Sequence, residues 1–319
     1  MLTYSIRKLL MLIPMLLVIS FLIYGGLELM PGDAVSFIAG PEAMANMSPE
    51  KLDALREALG LNKPFMLRYL HWLGGVLQGD FGYSLTSGTP IAQIVLAKLA
   101  ATLELSFAAL CISSFLGCIL GIISALRKGS AADNILTVAG MLGLSIPEFF
   151  FGLCSLLLFA INTDLLPIGG RLTAGDGSIG DRLYHLILPA LVMGLAMTAG
   201  VMRYARSSML DSVHKDYIKT ARSKGLPEWK VNVIHGFRTA LTPIIVLIGF
   251  RLPTLIGGSV VIEQVFQWPG VGSEFVAAVR GQNYPLVMMI ALLSVTAVLL
   301  ASFLVDLLTA VLDPRVRLT

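Results

Sequence analysis

The chain has 319 residues, 56% hydrophobic and only 13% charged, with a net charge of +3 and a mean hydropathy of +0.81. Soluble domains carry roughly 25% charged residues, so membrane residence explains the deficit better than an unusually large soluble core. No basic face interleaved with aromatics speaks for nucleic acid, and Cys111, Cys118 and Cys154 lie inside apolar runs, without metal-ligand spacing, as small packing residues.

Runs of 18 or more apolar residues are transmembrane candidates, because about 20 residues at 1.5 Å each cross a ~30 Å hydrocarbon layer. Six qualify, near 9–30, 100–126, 134–160, 184–203, 239–262 and 286–311. Each is expected to be a helix, since unpaired backbone groups in lipid cost several kcal/mol apiece, and the alternation of a barrel strand is absent. The first run follows Arg7 and Lys8 but is too long for a signal-peptide core. The small-residue stretch Ala43-Met-Ala45 lies too far beyond it to be its cleavage site, so an uncleaved helix is expected.

Between the first two runs, Pro31-Gly-Asp33 reads as a turn. A soluble helix should follow, with Ser48 as N-cap, Pro49 in the first turn, Leu52, Leu55 and Leu59 as its apolar stripe and Gly60 at its end. Gly79-Asp-Phe-Gly82 and Ser87-Gly-Thr-Pro90 punctuate the remainder. A cap of this size is too small for a core of its own and should lean on the membrane domain. The chain thus divides into residues 1–99, an N-terminal helix plus outer cap, and residues 100–319, a five-helix core.

Orientation follows from lysine and arginine in the connections. The connection after the fourth run alone carries Arg203, Arg206, Lys215, Lys219, Arg222, Lys224, Lys230 and Arg238, and the same side holds Arg7, Lys8, Arg127, Lys128, Arg315 and Arg317. The opposite connections are dominated by acids. Both termini, and the segment 207–240, are therefore expected in the cytoplasm.

That segment reads as two short helices around a bend. Val213, Tyr217 and Ala221 give the first an apolar stripe, and Trp229, Val233 and Phe237 give the second another. Gly225 can take the left-handed conformation that closes the first helix, and Pro227 suits the start of the next. On physics alone this is either an ordinary basic loop that sets topology or a compact knob for a partner's groove.

Tyr217-Ile-Lys-Thr-Ala-Arg-Ser-Lys-Gly225, followed by His235-Gly-Phe-Arg-Thr-Ala-Leu-Thr-Pro243, resembles the EAA loop of ABC importer permeases of the peptide and nickel branch. Met30-Pro-Gly-Asp33 with Gly79-Asp-Phe-Gly82, His185-Leu-Ile-Leu-Pro189 and Glu263-Gln-Val-Phe-Gln-Trp-Pro-Gly-Val-Gly272 agree in order, and the likeness runs to Asp313-Pro-Arg315. The Glu-Ala-Ala slots of the general pattern hold Lys219, Thr220 and Ala221, and its later proline is Arg238; both departures are usual for the peptide branch, and no role of that glutamate carries over. The resemblance implies an all-α integral membrane protein with the type I importer permease fold, six transmembrane helices, an extra N-terminal helix and a small outer cap. It implies coupling to ATPases through Tyr217, Thr220, Ala221, Arg222, Lys224, Gly225 and Leu226. It also implies a second homologous permease chain, two ATPase subunits holding the ATP and magnesium, and an external solute-binding protein; di- or oligopeptides are the expected cargo, with nickel chelates, glutathione or opine-like solutes as the alternative.

No Gly-Lys dipeptide occurs, so no phosphate-cradling loop is expected in this chain, which reads as a non-catalytic permease subunit without cofactor or metal. His71, His185, His214 and His235 are scattered. A secondary transporter would need midplane ion ligands and an inverted repeat, and an intramembrane enzyme a paired nucleophile and base; neither pattern appears. Glu148, beside Pro147, and Arg251, near Pro253, fall near the middle of their runs. They could pair, face the pathway, or reach separate partners. Glu104 and Asp306 read as interfacial, while Gly117 with Gly121, and Gly257 with Gly258, suit close helix packing.

Overall fold

The computed structural model describes residues 2–29, 48–58, 62–251 and 260–312. Helix α1 (Leu2–Glu28) is followed by two outer helices, α2 (Pro49–Ala58) and α3 (Phe65–Leu77), and then by α4 (Ile91–Leu126). Helix α5 (Ala131–Ser145) and α6 (Glu148–Leu156, extended by a π-helical turn Leu157–Ile161) lead to α7 (Ile179–Val213). A short helix α8 (Asp216–Ser223), one turn at Glu228–Lys230 and a π-helical stretch Val231–Phe237 then run into α9 (Arg238–Gly249). Helices α10 (Val260–Val265), α11 (Val271–Arg280) and α12 (Tyr284–Leu312) complete the described chain. Among the described residues the β-pairing outside helices is one isolated bridge, Tyr83 to Pro90.

Four helices are each long and apolar enough to cross a membrane, and the number reaches six if each of two bent pairs is one span. The expected third span, 134–160, is not one straight helix. Pro147 disfavours helical backbone at Ile146, Ile146 is extended at ψ 125°, and α5 and α6 meet at a 97° bend. The fifth run bends too: within α9 the segments ending at Leu241 and beginning at Pro243 meet at 44°. The second run starts earlier than expected, since α4 begins at Ile91 and passes without interruption through position 100.

Helices α4 and α7 form the central pair. They approach so closely that a Cβ on Gly117 would lie 2.5 Å from the Cβ of Val201, and one on Gly121 2.6 Å from the Cβ of Ala205 and from the Met202 carbonyl oxygen. The small-residue spacing read from the sequence is therefore a packing device. Around this pair a core forms from Leu105, Ala109, Met193, Ile262, Phe266 and Trp268. Ser130 caps α5 and Ser178 caps α7, each side chain accepting from the backbone N–H three residues on.

The outer segment does lean on the membrane helices. Trp72, Val76 and Phe81 pack with Ile91, Val95, Leu286 and Ile290, and Asn283 Nδ2 donates to Ser84 Oγ at 2.7 Å. Tyr69 and Trp72 of α3 meet Tyr24 of α1 at ring separations of 5.7 and 5.3 Å. Lys8 of α1 pairs with Asp306 of α12, so Asp306 staples the peripheral first helix to the last. The Pro31-Gly-Asp33 turn, Gly60, Pro253, the Gly257–Gly258 pair and Asp313-Pro-Arg315 lie outside the described residues, as do the side chains of Leu52, Leu55 and Leu59.

Candidate functional site

The polar stretch between α7 and α9 folds as a small self-supporting elbow. Helix α7 carries on to Val213, ten residues past the expected span, so Val213 belongs to α7 and not to the first elbow helix. The expected stripe is corrected accordingly. Within α8 the buried side chains are Ile218 and Ala221, which meet Val231 and Leu226 in a four-residue core, while Tyr217 stays 40% exposed. The second stripe is corrected as well: Trp229 and Val233 are exposed, and Val231 is the buried anchor. The π-helical winding of Val231–Phe237 accounts for this, because a period read at 3.6 residues per turn assigns the wrong face to a wider helix.

Gly225 closes α8 with φ +74°, the left-handed conformation that costs other residues a Cβ clash. Arg222 then reaches across the turn and forks onto Glu228, Nε to Oε1 at 2.8 Å and Nη2 to Oε2 at 3.2 Å. That guanidinium holds the Glu228 carboxyl below the usual carboxylate range. Thr220, Arg222, Lys224 and Gly225 present a contiguous exposed surface.

Hydrogen bonds at Ser212 tie the elbow to α7, beside the packing of Met209 against Gly236 and Phe237. Ser212, at the buried end of α7, donates to the Gly236 carbonyl at 2.8 Å. A serine hydroxyl has one hydrogen, so the Tyr217 hydroxyl, 2.7 Å away, is the donor to Ser212 Oγ. Tyr217 thus turns its polar end inward as a tether. Next to this tether an open cleft of about 670 Å³ is lined by Arg203, Tyr204, Ser207, Asp211, Lys215 and Thr239 among others.

Of the intramembrane charges, Glu148 is half-buried in the first turn of α6, directly after the 97° bend. Arg251 is half-buried just past the end of α9 and lays its guanidinium over α7, where a Cβ on Gly200 would lie 2.5 Å from its Nη2. Both charges therefore sit at a helix end. Glu104 accepts from two arginines of the α6–α7 region, Arg171 (Nη2, 2.6 Å) and Arg182 (Nε, 2.6 Å). His185 is a packed histidine held by Gly169 O and Thr173. Among the described residues no three His, Cys, Asp or Glu side chains converge as a metal set.

Sequence reading missed three features. Glu263, fully buried, accepts from Thr102 Oγ1 and from the Ser273 N–H at 2.7 Å each; Gly270 and Gly272 lack side chains because that carboxylate occupies the space. Ser212 has no local signature. The third is the buried Asp133, forked by Arg206; the signal that could have found it is Ser130-Ala-Ala-Asp133, a pattern close to a capping box.

The arrangement has a solved counterpart. A chain of the inward-facing MetNI methionine ABC transporter superposes with a TM-score of 0.57, covering 70% of this chain and 98% of that one at 16% identity. Fold and membrane-length helices define a multi-pass protein of the cell membrane with the type I ABC importer permease fold. The chain belongs to the family of binding-protein-dependent transport system inner membrane components, whose model matches residues 117–318, with a companion N-terminal model matching residues 1–106. It is 40% identical over 98% of its length to the oligopeptide transport system permease protein AppB of Bacillus subtilis, covering 99% of that protein. It is 34% identical to the dipeptide transport system permease protein DppB of Escherichia coli K12, with 99% of each chain covered.

Proposed function

We propose that this chain is a membrane-spanning, non-catalytic subunit of an ATP-driven importer of di- or oligopeptides. Its N and C termini and the elbow face the cytoplasm, in keeping with the basic residues of residues 203–238. Two ATPase subunits bind the ATP and magnesium, a second homologous permease completes the pathway, and an external solute-binding protein delivers the peptide. Full-length similarity to permeases named for oligopeptide and dipeptide transport supports the peptide cargo.

The observation that carries the coupling reading is the elbow itself. Its core of Ile218, Ala221, Leu226 and Val231 lets it move as a unit, its exposed face offers Thr220, Arg222, Lys224 and Gly225 to the ATPase, and Ser212 joins it to α7. Ala221 and Leu226 act from inside, as packing, and Tyr217 acts as the tether. Closure of the ATPases on ATP pushes the elbow, and α7 carries the displacement to the pathway as a rigid element between two states.

The experiment is peptide uptake and ATP hydrolysis measured in parallel on the complete transporter in liposomes. Thr220→Trp, which leaves the elbow core intact, is expected to lower peptide moved per ATP by about 5-fold or more while hydrolysis continues. An unchanged ratio would reduce the elbow to a loop that only sets topology.

A further inference from the structure

Immediately before the elbow, α7 is gripped by a second polar contact. The connection from α4 to α5 is a tight turn with Gly129 at φ +77°. Asp133, in the first turn of α5, is 3% exposed. Its carboxylate accepts from Ser124 of α4, from the Gly129 N–H at 2.9 Å, and from the Arg206 fork of α7, Nε at 2.8 Å and Nη2 at 2.9 Å. One buried carboxylate therefore joins the ends of three helices.

Arg206, Met209 and Ser212 follow one another at three-residue steps along α7, a row that winds about a third of the way round the helix. Each has a separate task. Arg206 holds α5 through Asp133, Met209 packs between Ala125 of α4 and Ala240 of α9, and Ser212 holds the elbow. Helix α5 is also the first limb of the 97° break. Whatever displaces the elbow moves Ser212, and less than two turns back along α7 that displacement meets the fork to α5.

A bidentate arginine–carboxylate contact fixes direction and register more than it adds stability. Buried ion pairs can often be replaced by apolar side chains without loss of stability, so this one is better suited to setting the relative placement of α5 and α7. We propose that Asp133 and Arg206 are a positioning pair that passes elbow displacement from α7 to the broken α5–α6 limb. This rests on the coupling reading of the elbow given above.

The test uses the complete transporter in liposomes, with peptide uptake, ATP hydrolysis and thermal melting followed together. Asp133→Asn keeps the shape and removes the charge; Arg206→Lys keeps the charge and removes the fork. Both are expected to lower peptide moved per ATP by about 2- to 30-fold, the range for changes along a coupled network, with Arg206→Lys the milder, while hydrolysis continues; Asp133→Asn also lowers melting temperature, because it leaves the Arg206 charge without its partner. A merely structural pair would lower melting temperature, hydrolysis and uptake in parallel and leave the ratio unchanged, and that result would overturn the inference. Thr220→Trp runs beside them. If it uncouples and the two pair variants do not, the positioning role alone fails; if it leaves the ratio at the parent value, the elbow reading fails and this inference falls with it.

Discussion

The α4–α7 pair and the α5–α6 limb both have membrane-crossing length and hydropathy but behave as opposites. Helices α4 and α7 run uninterrupted for 36 and 35 residues, and their backbones touch through Gly117 and Gly121. The limb breaks by 97° at Ile146-Pro147, and a charged residue, Glu148, stands at the break. Helix α9 bends less, by 44° between Leu241 and Pro243, and Arg251 lies just past its end. The lesson is a division of labour: backbone contact through glycines makes posts, and the break at Ile146-Pro147, with Glu148 beside it, makes a limb that changes direction.

The largest expected effect comes from prising the posts apart. Gly121→Leu places a side chain where Ala205 and Met202 already lie within 2.6 Å, and overpacking of this kind costs about 1–3 kcal/mol or more. The purified chain should melt far lower and be recovered in small amounts. Gly26→Leu on α1, where a Cβ has no neighbour within 4 Å, should leave melting and yield unchanged. Equal damage from both would remove the distinction between posts and periphery.

The charges at the helix ends are a sharper instrument. Reversal of either Glu148 or Arg251 should depress peptide uptake strongly, since a misplaced charge within a span costs about 2.5–3.5 kcal/mol on insertion scales. The double reversal, Glu148→Arg with Arg251→Glu, reads whether the two meet: recovered uptake places them together, and continued loss assigns them separate partners.

The smallest effect concerns the turn of the elbow. The Glu228 carboxyl is held below its ordinary range by Arg222, so the contact contributes fully above the unfolded carboxylate value and is lost as pH falls through the lowered one. Because both side chains are exposed, the contribution is small. A carbon-13 NMR titration of labelled glutamate should show Glu228 protonating below its neighbours, and Arg222→Gln should return it to the usual range without altering melting temperature.

Much of this molecule was legible in the amino-acid order. A hydrocarbon layer enforces length and polarity one segment at a time, so the long apolar runs, the glycine contacts of α4, the elbow's position and the left-handed Gly225 followed from local rules. By resemblance Tyr217, Thr220, Ala221, Arg222, Lys224, Gly225 and Leu226 were picked out for the coupling role proposed above. Which elbow residues turn inward was not, because the π-helical stretch shifts the period and Ile218 and Val231 find each other across a bend.

What only the tertiary structure decided was pairing at a distance. Asp133 with Arg206, Glu104 with Arg171 and Arg182, Lys8 with Asp306, and Glu263 with Thr102 join residues far apart in the chain. No local pattern encodes such partners, because each depends on how the helices are placed against one another. The break at Pro147 lies between these cases. The proline announced that helical hydrogen bonding would fail there, but the 97° turn was set by the helices against which each half packs.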